Sequence, residues 1–283
     1  MFDMLETWWN YEFVRRALVA TFVLSISVAP VGCFLVLRRL SLAGEALAHA
    51  IVPGISIAFL VSGGLTVGAM LIGGVAAGLA VALSATMLAR ISIIREEAGL
   101  ASLYLIALAL GVFILSLGGS AVPLKSFLFG KILGMSDGTL VLIGVTATLT
   151  LVSFALMLRP LIVSTLDPGF FESQVRRAWI VNVWFMLLMV LNLIASFRAL
   201  GTLMAVGLMI LPATSARYWV SNLTGYVFVS MTLAIGSCLI GIVLSLTFAN
   251  VPTGPCIILV AGGFFFFSAI LGPNGLRSST FER

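Results

Sequence analysis

The sequence predicts an all-α membrane protein, a polytopic helical bundle with eight or nine transmembrane helices. Hydrophobic residues make up 61% of the 283-residue chain and charged residues only 9%, against about a quarter in soluble domains. Uncharged runs recur along the chain, and many reach the roughly 20 residues that a membrane-spanning helix needs. Because these runs lack in/out alternation, a β-barrel is excluded and helices are the only spanning structure left.

The uncharged runs also set the number of spans. Most are about one span long, but two are long enough to hold two spans and must fold back on themselves. These longer runs break at Ser62-Gly63-Gly64 and at residues 250–255, where proline and glycine are typical of turns. The predicted helices cover residues 15–37, 43–61, 65–89, 99–117, 138–158, 178–197, 200–217, 224–248 and 256–272.

We expect residues 1–283 to form a single transmembrane domain surrounded by membrane lipid. Residues 2–13 mix aromatic side chains with acids, which suits an interfacial helix at the membrane surface. Lys and Arg concentrate on the cytoplasmic side of spans, and placing Arg90 and Arg159 there orients the other helices. Residues 159–177 then form a cytoplasmic loop, whose prolines, phenylalanines and charges are typical of a docking element.

One pair of ionisable residues lies inside a predicted span. His49, the sole histidine, follows Glu45 by four residues, so both side chains project from one helix face. His49 follows Arg39 by ten residues, about 15 Å of helical rise, which places it near the middle of a hydrocarbon layer about 30 Å thick. Ionisable groups at that depth usually face a bundle interior or a water pathway. The pair is either a transient metal or proton site or a structural contact that fixes helix register.

The number of ligands in this pair bears on the metal interpretation. Glu45 and His49 supply two ligands, whereas zinc favours four. A two-fold dimer would place both residues of each copy around one axis, because closed symmetry presents the same residues twice. Such a homodimer would offer two imidazoles and two carboxylates to one ion.

Residues 38–54, RRLSLAGEALAHAIVPG, resemble a stretch shared by the zinc/manganese/iron permeases of ATP-binding-cassette importers. Further blocks fit the family pattern in order: LFGKIL at 128–133, RALGTLMAVGLMILPATSAR at 198–217 and NVPTGPCIIL at 250–259. The resemblance spans nearly the whole chain and implies the metal-importer permease fold. It also implies that Glu45 and His49 coordinate the ion in the translocation path, although the family more often has Asp at the acidic position.

The same resemblance implies the partners and the cargo. The permease would act as a homodimer in a bacterial cytoplasmic (inner) membrane, with two cytoplasmic ATP-binding subunits and an extracytoplasmic metal-binding protein. The ATPase subunits would dock on a short helix around Asp167, Phe170 and Phe171. The cargo would be a divalent transition metal ion that passes through without any permanently bound cofactor. Because imidazole suits zinc, we expect zinc first and manganese second.

Other functions are excluded or remain as alternatives. No G-x-x-x-x-G-K-[ST] loop occurs, so we expect a transport subunit that is not an enzyme and a separate subunit that hydrolyses ATP. Basic residues lie at the ends of apolar runs rather than in one patch, which argues against nucleic-acid binding. The alternative is a proton- or sodium-coupled secondary carrier in which Glu45 and His49 relay a proton, but no internal repeat supports it.

Overall fold

A computed structural model describes residues 11–62, 67–93, 96–117, 134–248 and 251–275 of the chain. These residues form helices and connecting turns, with no strand among them, so the all-α prediction is confirmed. The helices are α1 (Glu12–Leu37), α2 (Ser41–Ala50), α3 (Val52–Ser62), α4 (Val67–Ile91), α5 (Glu96–Leu117), α6 (Asp137–Leu166), α7 (Pro168–Gln174), α8 (Ala178–Leu200), α9 (Thr202–Ala216), α10 (Leu223–Thr247) and α11 (Thr253–Leu271).

The membrane-spanning character of these helices follows from their length and composition. In the described part of the chain, seven helical segments are long and apolar enough to cross a membrane, with α2 and α3 together counting as one. Two shorter apolar helices, Ala98–Ile114 and Met204–Ala216, add to them. The total agrees with the eight or nine spans that the sequence predicts.

The described residues group into two compact units. One unit comprises residues 11–36, 134–148 and 195–275, and the other comprises residues 37–117 and 149–194, with the gaps given above. In the first unit α9, α10 and α11 pack against one another. In the second unit α2, α3, α4 and α5 do so.

Helix α6 is longer than the sequence predicts. The predicted helix ends at residue 158, before Arg159 and Pro160, but α6 continues to Leu166. An internal proline removes one backbone hydrogen bond at a cost of about 3 kcal/mol. Beyond it, Leu161 is buried and its carbonyl accepts hydrogen bonds from the Ser164 and Thr165 side chains, which supports continued helix. The predicted 159–177 loop therefore consists largely of the end of α6 and the short helix α7.

The start of the described chain carries an ion-pair cluster. Arg16 contacts Glu12 at 2.6 Å and Asp137 at 2.7 Å, and all three residues are in the first unit. Residues 2–10 of the proposed interfacial segment and the block at 128–133 lie outside the described residues. The interfacial placement of residues 2–13 stays a prediction.

Candidate functional site

Helix α2 carries the polar pair that the sequence singles out. Glu45 is exposed and His49 is partly buried, while the neighbouring Ala46, Leu47 and Ala48 are buried. Neither the Glu45 nor the His49 side chain makes a hydrogen bond or ion pair with another described residue. The two groups are thus one helical turn apart with their polar atoms unsatisfied by the rest of the described chain.

An aromatic ring from another helix stacks on the histidine. Tyr104 of α5 lies with its ring centroid 6.0 Å from that of His49, and the two planes are inclined by 28°. Offset stacking at this separation is a favourable aromatic arrangement and limits rotation of the imidazole. Sequence reasoning missed Tyr104, because nothing in the spacing of residues 49 and 104 relates α2 to α5.

The chain breaks its helix immediately after the pair. Pro53 has no N–H, so the usual hydrogen bond back to the His49 carbonyl four residues earlier cannot form. Around the break, the Ile51 N–H donates to the Leu47 carbonyl at 3.2 Å, and the Ile51 carbonyl accepts from the Ile55 N–H at 3.1 Å. The break is therefore local, and α2 and α3 form two parts of one span. His49 lies in the last turn before it.

The backbone at this helix break packs closely against the neighbouring helices α4 and α5. A Cβ atom on Gly54 would collide with the carbonyl oxygen of Gly73 in α4. A Cβ atom on Gly111 of α5 would lie 2.9 Å from the Pro53 nitrogen and 2.9 Å from a Val52 methyl group. Only residues without a side chain permit this approach. The backbone that follows His49 is thus confined on two sides.

The described residues contain no group of three or more His, Cys, Asp or Glu side chains that could hold a metal ion. Glu45 and His49 offer two ligands, one carboxylate and one imidazole. The sulfur side chains are used in packing: Cys33, Cys238 and Cys256 are buried free thiols.

The predicted docking residues fall at the start of α7. The Asp167 carboxylate accepts a hydrogen bond from the Phe170 N–H at 2.9 Å and caps this helix, and Pro168 occupies its first turn. The two phenylalanines differ: Phe170 is 55% exposed, whereas Phe171 is 6% exposed and packs inside the chain. Of the two rings, that of Phe170 is exposed and that of Phe171 is buried.

The apolar spans in the described part of the chain define a polytopic membrane protein, and one of these spans is broken next to a polar pair. Residues 10–272 match the ABC 3 transport family, and the chain belongs to that family. The predicted membership of the metal-ion importer permeases is thereby confirmed. The chain is a multi-pass bacterial membrane protein and a transport component, with ATP hydrolysis on a separate subunit.

Individual relatives cover nearly the same length. The manganese import system permease protein ScaB of Streptococcus parasanguinis is 30% identical over 266 residues, which is 94% of this chain and 92% of the relative. The manganese transport system membrane protein MntC of Listeria monocytogenes is 26% identical over 270 residues, covering 95% and 94%. Among solved structures, PsaBC from Streptococcus pneumoniae in complex with Fab matches with a TM-score of 0.86 and 26% identity, covering 99% of each chain. Membership of an ATP-binding-cassette family does not favour the secondary-carrier alternative.

Proposed function

We propose that this permease moves a divalent transition metal ion across the membrane and that Glu45 and His49 hold the ion during its passage. The observation that carries the proposal is the unsatisfied carboxylate and imidazole, one turn apart on a helix of a membrane span. An ionisable group in a bilayer costs about 3 kcal/mol on insertion scales. Two such side chains, without a hydrogen-bond partner among the described residues, are stabilised in a membrane when a cation binds to them.

The donor set supports a transition metal as cargo. Carboxylate oxygen suits manganese, and imidazole nitrogen suits zinc and other borderline metals. The chemistry of the pair therefore accepts both ions, and imidazole alone favours zinc. Two relatives are named as manganese permeases, which moves our proposal to manganese first and zinc second.

Two ligands from one chain leave an ion incompletely coordinated, which supports a homodimer. A two-fold axis beside α2 would present Glu45 and His49 from both copies to one ion. The exposure of Glu45 fits this arrangement, because its carboxylate is open to a partner molecule. A permease that remains monomeric in its assembled transporter would contradict this part of the proposal.

In the proposed mechanism the ion arrives from an extracytoplasmic metal-binding protein and exchanges water ligands for the Glu45 carboxylate and the His49 imidazole. Tyr104 stacks on the imidazole and restrains the plane of the ring while the ion is bound. ATP hydrolysis on two cytoplasmic subunits then changes the side from which the pair is accessible. Binding stays modest in strength because the same ligands must release the ion.

The decisive experiment measures manganese and zinc uptake by liposomes that contain the permease, its ATPase subunits and the metal-binding protein. We expect Glu45→Gln and His49→Ala to lower ATP-driven uptake by at least about tenfold, as for loss of groups that tune a metal site. Glu45→Asp is the matched control, since it keeps the charge and shortens the side chain by one methylene. Wild-type uptake in Glu45→Gln and His49→Ala would rule out this site.

A second proposal assigns ATPase docking to α7 around Asp167, Phe170 and Phe171. Exposed aromatic residues are frequent anchors of protein interfaces, and Phe170 is exposed next to the Asp167 cap. Phe171 supports the same surface from inside. Phe170→Ala should reduce co-purification of the ATPase subunit without loss of permease stability.

The two phenylalanines provide internal controls for the docking test. Phe171→Ala should destabilise the permease by about 3 kcal/mol, because it leaves a cavity. Phe266→Ala, at an exposed phenylalanine in the apolar helix α11, should change neither property. Undiminished ATPase binding by Phe170→Ala, measured by pull-down at several permease concentrations, would refute docking through this ring.

A further inference from the structure

Arg38 lies in the turn between α1 and α2 and makes a dense set of polar contacts. Its guanidinium donates hydrogen bonds to the Asn182 side-chain oxygen at 2.5 Å, the Ser164 hydroxyl at 2.9 Å and the Thr165 hydroxyl at 3.1 Å. The guanidinium carbon also lies 4.6 Å from the centroid of the Phe185 ring, within cation–π range. All these residues are in the same compact unit.

Two of the three acceptors for Arg38 are each held by a second hydrogen bond. The Ser164 and Thr165 hydroxyls both donate to the Leu161 carbonyl, at 3.0 Å and 2.7 Å. Since each hydroxyl has only one proton, its oxygen lone pairs remain to accept from the arginine. A planar guanidinium reaches several acceptors at fixed angles, which a lysine ammonium does not. We call Arg38 with Asn182, Ser164, Thr165 and Phe185 the Arg38 clamp.

The Arg38 clamp includes residues from both helices that flank α7, namely the end of α6 and the start of α8. Ser164 and Thr165 lie in the last turn of α6, directly before Asp167 and α7, whereas Asn182 and Phe185 lie in the first turns of α8, directly after α7. On its other side, Arg38 lies three residues before Ser41, where α2 begins. One side chain therefore connects the supports of α7 to the start of the helix that carries Glu45 and His49.

We propose that Arg38 is a positioning residue that transmits movement of α7 to α2, so that events at the docking helix and at the Glu45–His49 pair occur together. The inference rests on the proposed function, because it takes α7 as the docking surface and the pair as the ion site. Charge-assisted hydrogen bonds are shorter and stronger than neutral ones. In this clamp they join the end of α6 and the start of α8 to the turn between α1 and α2, so that these elements move together. Coupling between distant sites travels through such contiguous contacts.

Only the stoichiometry of transport distinguishes coupling from simple structural support. The experiment measures manganese uptake and phosphate release in the same liposomes containing the full transporter. Arg38→Gln removes the donor to Asn182, Ser164 and Thr165 and should lower the number of ions moved per ATP by at least about tenfold. ATP hydrolysis and binding of the ATPase subunits should persist. Arg38→Lys should also lower the ratio, because the ammonium cannot replace the planar fork.

The neighbouring arginine is the matched control. Arg39 is exposed, and Arg39→Gln removes the same charge one position away, so it should keep the wild-type ratio. If Arg38→Gln does not fold, Ser164→Ala and Thr165→Val test the proposal instead, because each removes one hydrogen-bond acceptor and keeps the arginine. Each should lower the ratio by about twofold to threefold, and the double variant by more.

A wild-type ratio in Arg38→Gln, or in the Ser164→Ala/Thr165→Val double variant, would overturn the proposal. Equal losses of uptake and ATP hydrolysis would also overturn it, because they indicate a structural role alone. Failure of the proposed function looks different: Glu45→Gln would then transport metal as well as wild type, and the inference about Arg38 would fall with it.

Discussion

Two charged regions that begin seven residues apart differ in whether their polar side chains have hydrogen-bond partners. At Arg38 the charge is satisfied by three hydrogen bonds and an aromatic ring. At Glu45 and His49 the polar side-chain atoms have no hydrogen-bond partner among the described residues, and a tyrosine ring stacks on the imidazole. Satisfied polar networks fix a structure, whereas unsatisfied polar groups in a span are available to a ligand. Arg38 therefore maintains the structure around the site, whereas Glu45 and His49 are the residues proposed to bind the ion.

The largest effect is expected from crowding the backbone beside the open pair. Gly111→Ala places a methyl group 2.9 Å from the Pro53 nitrogen, so it should destabilise the permease by about 2 to 3 kcal/mol. Gly144→Ala is the control, because no atom lies within 4 Å of its added methyl group. That variant should gain about 1 kcal/mol from helix propensity. Thermal unfolding in detergent measures the stability of both variants. Equal midpoints would show that the helix break at Pro53 tolerates a side chain at position 111.

A comparison of two glutamine substitutions tests the contrast directly. Arg38→Gln leaves Asn182, Ser164 and Thr165 without their donor and should cost about 2 kcal/mol of stability. Glu45→Gln removes a charge whose carboxylate has no hydrogen-bond partner among the described residues, so it should not lower stability and should raise it where the charge is costly in the membrane. Denaturant or thermal unfolding of both variants gives the answer. A large loss in Glu45→Gln would mean that the carboxylate is structural, against our interpretation of the pair.

The smallest effect concerns the ring that stacks on His49. Aromatic pairs contribute about 1 kcal/mol beyond their burial, so Tyr104→Leu should raise the half-saturating metal concentration for uptake by about fivefold. Tyr104→Phe keeps the ring and should match wild type. If Tyr104→Phe were as impaired as Tyr104→Leu, the hydroxyl rather than the stacking would carry the role.

Local features of the sequence predict much of this structure. Uncharged runs mark the long helices because hydrophobicity is a property of the run itself, and the spacing of Glu45 and His49 places them on one helix face. The Arg38 contacts span 126 to 144 residues, and no local pattern encodes them. The stacking of Tyr104 on His49 depends in the same way on how α5 packs against α2.

Adjacent identical residues show a second limit of sequence reasoning. Phe170 and Phe171 are chemically the same, and the sequence assigns both to the docking surface. In a helix, neighbouring residues point about 100° apart, so one ring faces out and the other faces in. Which ring is exposed depends on the direction of α7, which its Asp167 cap and its two flanking helices determine.

Arg39 has a left-handed backbone conformation, with a φ of 59°, which makes the turn between α1 and α2 sensitive to a change in its length. Only a turn of three residues, Arg38 to Leu40, separates the end of α1 from the beginning of α2. An insertion of one residue there would displace the Arg38 side chain from Asn182, Ser164 or Thr165, or shift the start of the helix that carries Glu45 and His49. Insertions and deletions at this corner should therefore be far more damaging than most amino-acid replacements, although it lies between helices, where extra residues are ordinarily tolerated.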